Sequence, residues 1–213
     1  VGLNHDGEPT IEPWNTTVSV IKTSGDRVFV GGRFTHVQQG PSGASFPQQS
    51  LAAFDLDGNW IDTFRPQVDG RVWDMTLTDD GKLIIGGDFT SVDGLPNTSG
   101  MAALDPATGQ VLTSWKGSVT STSGTHIVRA LDSRGDRIYA AGRFNRVLGG
   151  TWNEQSVSSA VDLRTSDGQP GTWKPRLSGT AVRLRAAAAG DRVQLAGYFN
   201  AVNGDTNHGY HAI

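Results

Sequence analysis

Several groups of residues in this chain have types and spacings that suit chemistry. Arg129, Arg183 and Arg185 fall on strands expected to be the innermost of their units, where guanidinium groups can grip an anion bidentately or simply stay solvated. Phe46, Trp152, Asn153 and His208 fall in or beside polar loops. An aromatic ring on such a loop suits a sugar or a peptide; the alternative is that Phe46 and Trp152 fold back as lids. His208 and His211 are spaced to chelate on a helix, but this stretch reads as loop then strand, without a carboxylate in a ligand pattern, so no metal site is expected. Asp55-Leu56-Asp57-Gly58 opens like a calcium loop yet lacks the later ligands and the closing Glu, so it reads as a turn. Arg134-Gly135-Asp136 spells an integrin-binding triplet on what is itself an expected hairpin turn.

Other chemistries are excluded by what the chain lacks. It has no cysteine, which removes disulfides, thiolate metal sites and thiol nucleophiles. No Gly-x-Ser-x-Gly, phosphate loop or His-Glu-x-x-His occurs. The net charge of −3 and the absence of a basic run give no reason to expect a nucleic-acid partner, and no apolar stretch approaches a membrane span. No cofactor is expected. Single acids such as Glu8, Glu12 and Glu154 show no pairing in the sequence, although a hydrolase site built from distant loops stays open as a reading.

The elements that must position these residues come from a repeat. Phe34, Phe89, Phe144 and Phe199 are each 55 residues apart. Each closes a motif of apolar strand, small residues and aromatic: Val30-Gly31-Gly32-Arg33-Phe34, Ile85-Gly86-Gly87-Asp88-Phe89, Ala140-Ala141-Gly142-Arg143-Phe144 and Leu195-Ala196-Gly197-Tyr198-Phe199. Upstream at constant spacing stand Gly/Asp turns followed by a base at Arg27, Lys82, Arg137 and Arg192, a hairpin signal. Downstream a short strand ends at Asp55, Asp105 or Asp162, a glycine turn follows, and a further strand closes on Phe64, Trp115 or Trp173.

Four strands per unit follow, expected in the first unit at 16–23, 27–37, 51–56 and 59–64, in meander order. Both alternating positions of the second strand are apolar, so it is buried on two faces. Small antiparallel sheets of that kind must stack on one another, and stacking them around an axis gives a β-propeller. The fold expected is therefore all-β, a propeller with four-stranded blades, a linear stack being the alternative. The units run about 1–14 (partial), 16–68, 69–122, 123–179 and 180–213 (partial), either closing as four blades or belonging to a larger ring. Gly32, Gly87, Gly142 and Gly197 are expected where blades approach closely, with the aromatics filling the gap between them.

This pattern of Gly-Gly-x-Phe, a loop, Ala-Ala-Leu-Asp and a closing aromatic resembles the bacterial delta-60 repeat over almost the whole chain; fungal polarity-marker propellers share part of it. The resemblance implies a propeller-like module of an exported or cell-surface bacterial protein, without an activity to transfer. What is expected of this chain is a binding or adhesion module for a glycan, peptide or partner domain, acting through the loops on one face, with a ligand-free spacer as the alternative. Two departures stand out: a longer turn at Arg164–Gly168, and Arg183 and Arg185 where the first unit would carry Val18 and Val20.

Overall fold

A computed structural model describes residues 17–38, 43–150, 153–188, 192–206 and 211–212, and every regular element among them is a strand. Each unit begins with a hairpin. Gly25 and Gly135 take φ of 58° and 57°, a backbone state that costs glycine little, and the chain reverses there. The inner strand of each hairpin pairs with a middle strand, and the middle strand pairs with an outer one, all antiparallel.

Sheet one is Thr17–Ser24, Arg27–Arg33 and Leu51–Asp55; sheet two is Val72–Leu77, Leu83–Gly87 and Met101–Leu104. Sheet three is Ile127–Arg134, Arg137–Arg143 and Ala160–Arg164; sheet four is Thr180–Ala186, Val193–Tyr198 and His211–Ala212. The expected fourth strand is reduced to one bridging residue: Phe54 with Trp60, Leu104 with Val111, Leu163 with Pro170. In sheets one and two a turn follows directly, with Phe64 N–H donating to Ile61 O and Trp115 N–H to Leu112 O, and it swings the aromatic into the core. In sheet three the bridging residue is a proline, which has no N–H to extend a ladder.

The second strand is also shorter than expected, ending at Arg33 rather than at 37. Beyond Phe34 the chain leaves the sheet and forms a separate ribbon around a valine that recurs every 55 residues, Val37, Val92, Val147 and Val202. Val92, Val147 and Val202 pair with the preceding connection at Val68, Val119 and Leu177. The loops between middle and outer strands therefore lie beside the connections between units, as the repeat reading requires.

Successive sheets pack face to face. Phe29 and Leu51 of sheet one meet Val72, Met75, Leu83 and Ile85 of sheet two in one cluster. Ile84 meets Val128, Leu131, Ile138 and Ala140 of sheet three in the next, and Ala130 and Ala141 meet Ala181, Leu184 and Leu195 of sheet four in the third. Leu83, Ile84 and Ile85 are all fully buried, which is the two-faced burial their apolar run predicts. Phe34, Phe89 and Phe144 are buried and Phe199 partly so, each packed in the cluster on its unit's preceding side.

The paired glycines have two separate reasons, only one of which was expected. A Cβ on Gly31 would stand 2.6 Å from Met75, and one on Gly86 2.6 Å from Val128, so the first glycine permits close approach of the next sheet. The second serves its own sheet. Every inner strand carries a bulge, at Val18/Val20, Val72/Asp74, Val128/Ala130 and Ala181/Arg183. That bulge drives a carbonyl toward the middle strand: Cβ atoms on Gly32, Gly87, Gly142 and Gly197 would lie 1.9, 2.0, 2.1 and 2.3 Å from Thr17, Arg71, Ile127 and Thr180 O.

Candidate functional site

The inner strands bring together residues that are far apart in sequence. A cavity of about 440 Å³ is lined by Ser19 and Lys22 of sheet one, Trp73 and Asp74 of sheet two, and Leu131 of sheet three. Sheet four contributes Arg183, Leu184, Arg185, Gln194, Leu195 and Ala196. All four sheets thus contribute to one site. Its polar side chains arise at the bulges and the neighbouring registers, where the inner strand carries charge instead of the valines and alanines used elsewhere.

Asp74 is the acid of the site. Burial pushes its carboxyl above the usual range, and N–H groups of Leu131 and Met75 together with the charges of Lys22 and Arg183 pull it back in part. Both oxygens are engaged: Oδ1 accepts from Met75 N at 2.9 Å, and Oδ2 accepts from Leu131 N at 2.8 Å across the sheet boundary. Asp132 makes a similar tie to Ala186 N in sheet four, at 2.9 Å. These carboxylates staple one inner strand to the next.

Trp73 is fixed rather than available. Its Nε1–H donates to Asp88 at 3.1 Å, and the guanidiniums of Arg71 and Arg129 lie 3.9 and 4.4 Å from its ring centre. Arg71 also donates to Ser19 Oγ, tying sheet one to sheet two. Arg129 is therefore an aromatic-stacked cation beside the cavity, whereas Arg183 and Arg185 line it. Lys22, Arg183 and Arg185 form no ion pair with any described residue; Arg183 donates only to Val182 O. The pairing register corrects one sequence correspondence. Arg183 pairs with Ala196 as Val20 pairs with Gly31, and Arg185 pairs with Gln194 as Lys22 pairs with Phe29, so the arginines replace Val20 and Lys22, not Val18 and Val20. The shift of two comes from the hairpin, because Ala186 and Val193 pair across seven positions where Thr23 and Val28 pair across five.

The loop candidates lie elsewhere. Phe46 sits in a short ribbon, Ser45–Pro47 against His36–Gln38, and stacks on Trp60 at 5.0 Å, with Arg65 over the same indole and donating to Pro47 O. That is the folded-back arrangement. Asn153 is exposed at the edge of its loop. Trp152 and His208 lie outside the described residues. No group of three metal-ligating side chains occurs among the described residues. The Asp55 carboxylate accepts from Asn59 and from the Asp57 amide, which lowers its pKa and accounts for its place in the turn. Arg134-Gly135-Asp136 is the sheet-three hairpin turn. His126 is buried and hydrogen-bonded near Phe89 O and Ser99.

The sequence reading missed Ser19, Lys22, Trp73 and Asp74. A signal existed for the last: a carboxylate between Trp73 and Met75 in an apolar strand is a costly placement unless it is bonded on arrival.

No family model and no curated protein matches this chain. Solved structures do match. One is the crystal structure of the computationally designed Ika4 protein, with a TM-score of 0.52 at 14% identity, covering 90% of this chain and 93% of that one. The likeness is one of fold alone.

Proposed function

We propose that this chain is a non-catalytic binding module of propeller type whose recognition site is the cavity among the inner strands, and that its ligand is anionic. The observation that carries the reading is the surplus of cations there: Lys22, Arg183 and Arg185 line one concave site, with Asp74 the only acid among its described lining residues. The Asp74 oxygens already accept from two amides, so its charge is committed to the fold. An anion entering would replace water around unpaired guanidiniums, and arginine offers a forked pair of donors matched to carboxylate or phosphate. The cavity volume is in the range typical of ligand sites, about 300–1,000 Å³.

A glycosidase reading needs two carboxylates flanking the scissile bond. The described residues of the cavity lining hold one, which favours binding over hydrolysis. The ring itself is supported by the way four consecutive sheets contribute inner-strand residues to a single cavity. The delta-60 resemblance and the exported setting it implies belong to the same proposal.

The test is calorimetric titration with glutarate and with inorganic phosphate at low salt. The reading expects a saturable site that Arg183→Gln and Arg185→Gln each weaken by about tenfold, a loss of ~1.4 kcal/mol. Binding that persists unchanged in the double variant, or none in the parent chain, would refute it.

A further inference from the structure

The four sheets pack in series, so sheet one and sheet four each keep one face without a partner sheet among the described residues. Along the series each inner strand is tied to the next by a polar bond as well as by an apolar cluster. Arg71 Nε–H donates to Ser19 Oγ at 3.0 Å between sheets one and two. Leu131 N–H donates to Asp74 Oδ2 at 2.8 Å between sheets two and three, and Ala186 N–H to Asp132 Oδ2 at 2.9 Å between sheets three and four. Among the described residues no hydrogen bond, ion pair or apolar cluster ties the inner strand of sheet four back to that of sheet one.

The two linking acids stand at fixed registers. Asp74 pairs with Gly86 and Asp132 with Tyr139. In sheet four the same middle-strand positions of the repeat are Ala196 and Gln194, and their partners are Arg183 and Arg185. Sheet four thus carries a base at each register where an earlier sheet carries its linking acid. The inner strand of sheet one presents another base, Lys22, to the same cavity. Lys22 and Arg183 both act on the Asp74 carboxylate, so bases from the first and last sheets share one small volume. Three bases against one carboxylate leave two positive charges in the described lining, and like charges in a site shielded from water repel. The first and last inner strands therefore push apart where every other pair is tied.

We propose that the cavity takes a small linear dicarboxylate, one carboxylate in the fork of Arg183 and Arg185 and the other on Lys22, and that this ligand supplies between sheets four and one the tie that Asp74 and Asp132 supply elsewhere. The proposal rests on the anion-binding reading of the cavity and names its ligand. Two charges on the ligand match the two left over in the lining. They must sit on separate groups, because the bases stand on different sheets. Each contact is a charge-assisted hydrogen bond, and once one end is held the other meets its base at high effective concentration.

The experiment is calorimetric titration of the whole chain at low salt with glutarate, monomethyl glutarate and inorganic phosphate, joined to hydrogen exchange with and without glutarate. Glutarate binds at least about tenfold tighter than its monoester, which keeps the size and loses one charge, and tighter than phosphate, whose charge is compact. Lys22→Gln brings the ratio of glutarate to monoester affinity to about one and Lys22→Arg restores it, whereas Arg183→Gln weakens both ligands. Saturating glutarate slows exchange in Thr17–Ser24 and Thr180–Ala186, and not in Val72–Leu77, which is already tied on both sides. If the monoester matches glutarate, phosphate binds tighter, Lys22→Gln keeps the ratio, or the two end strands exchange no more slowly, the bridging ligand is overturned and a one-ended anion site stands. If none of the three anions binds, both readings fall.

Discussion

Ile21, Met75, Leu131 and Leu184 occupy the same register of four inner strands, paired with Val30, Ile85, Ala140 and Leu195. Met75, Leu131 and Leu184 are 0%, 3% and 9% exposed, and Ile21 is 58% exposed. The middle strands repeat the contrast from the other side. Ile84 of sheet two is fully buried against sheet three, while Gln194, its counterpart in sheet four, is exposed. The repeat thus fixes the fold of each sheet, and the neighbouring sheet fixes the energy of each position. Gln194 and Arg183 also show that sheet four is written for water or a ligand on its free face, whereas sheet one keeps the apolar pattern of a covered sheet.

The contrast is broken most strongly at the buried member. Met75→Ala empties space between sheets one and two and should cost about 2–5 kcal/mol, whereas Ile21→Ala should cost less than about 0.5 kcal/mol. Urea denaturation of the two variants compares them directly; equal losses would mean that the flank of sheet one is covered.

The next largest effect concerns a feature all four sheets share. Gly87→Ala places a Cβ about 2 Å from the Arg71 carbonyl, so the bulge must open, at roughly 1–3 kcal/mol. Gly58→Ala is the control, since nothing lies within 4 Å of its Cβ, although its φ of 84° imposes some strain. Thermal unfolding should place Gly87→Ala well below Gly58→Ala, and the reverse order would remove the bulge as the glycine's reason.

A smaller difference separates units two and four at the connection between sheets. Asp69 accepts from the amides of Thr90 and Ser91 and from both hydroxyls, and Ser178 Oγ accepts from Asn200 and Ala201 in the same place. Burial tends to raise the Asp69 pKa, but the bonds from Ser91 and Thr90 outweigh it and hold the pKa below 3.8. A depressed carboxylate stabilises the fold above the unfolded pKa and loses that contribution as pH falls through the folded value. Asp69→Ser should therefore cost about 1 kcal/mol at pH 7 after allowance for its exposure, and the difference from the parent chain should shrink as pH falls below 3.8. A difference that stays constant with pH would show the carboxylate charge to be irrelevant.

Much of this was legible in the sequence for physical reasons. The Phe34 series, the Gly-Asp turns and the two-faced apolar strands each report a local requirement, so they survive in any one unit. The bulge behind Gly32 was not legible, because it is a property of pairing between strands. The missing fourth strand was hidden in sheets one and two because Trp60 and Val111 look like strand residues and only the following turn removes the ladder, whereas Pro170 was a visible signal against a strand in sheet three. Asp74 and Lys22 were missed because what makes them a site is supplied by sheets three and four, more than fifty residues away. Arg183 was found because an arginine there breaks the apolar pattern, standing at the register of Val20, whereas Arg185 was found by a correspondence the register corrects, since it stands at the register of Lys22, also a base.

The account depends most on the difference between a bare flank and a covered one at equal register. The chain has no cysteine, so a single thiol can report on it. Ile21→Cys and Met75→Cys, each treated with a thiol reagent under native conditions, should differ by orders of magnitude in rate, the first reacting at once and the second only as the protein unfolds. Similar rates at the two positions would contradict the account.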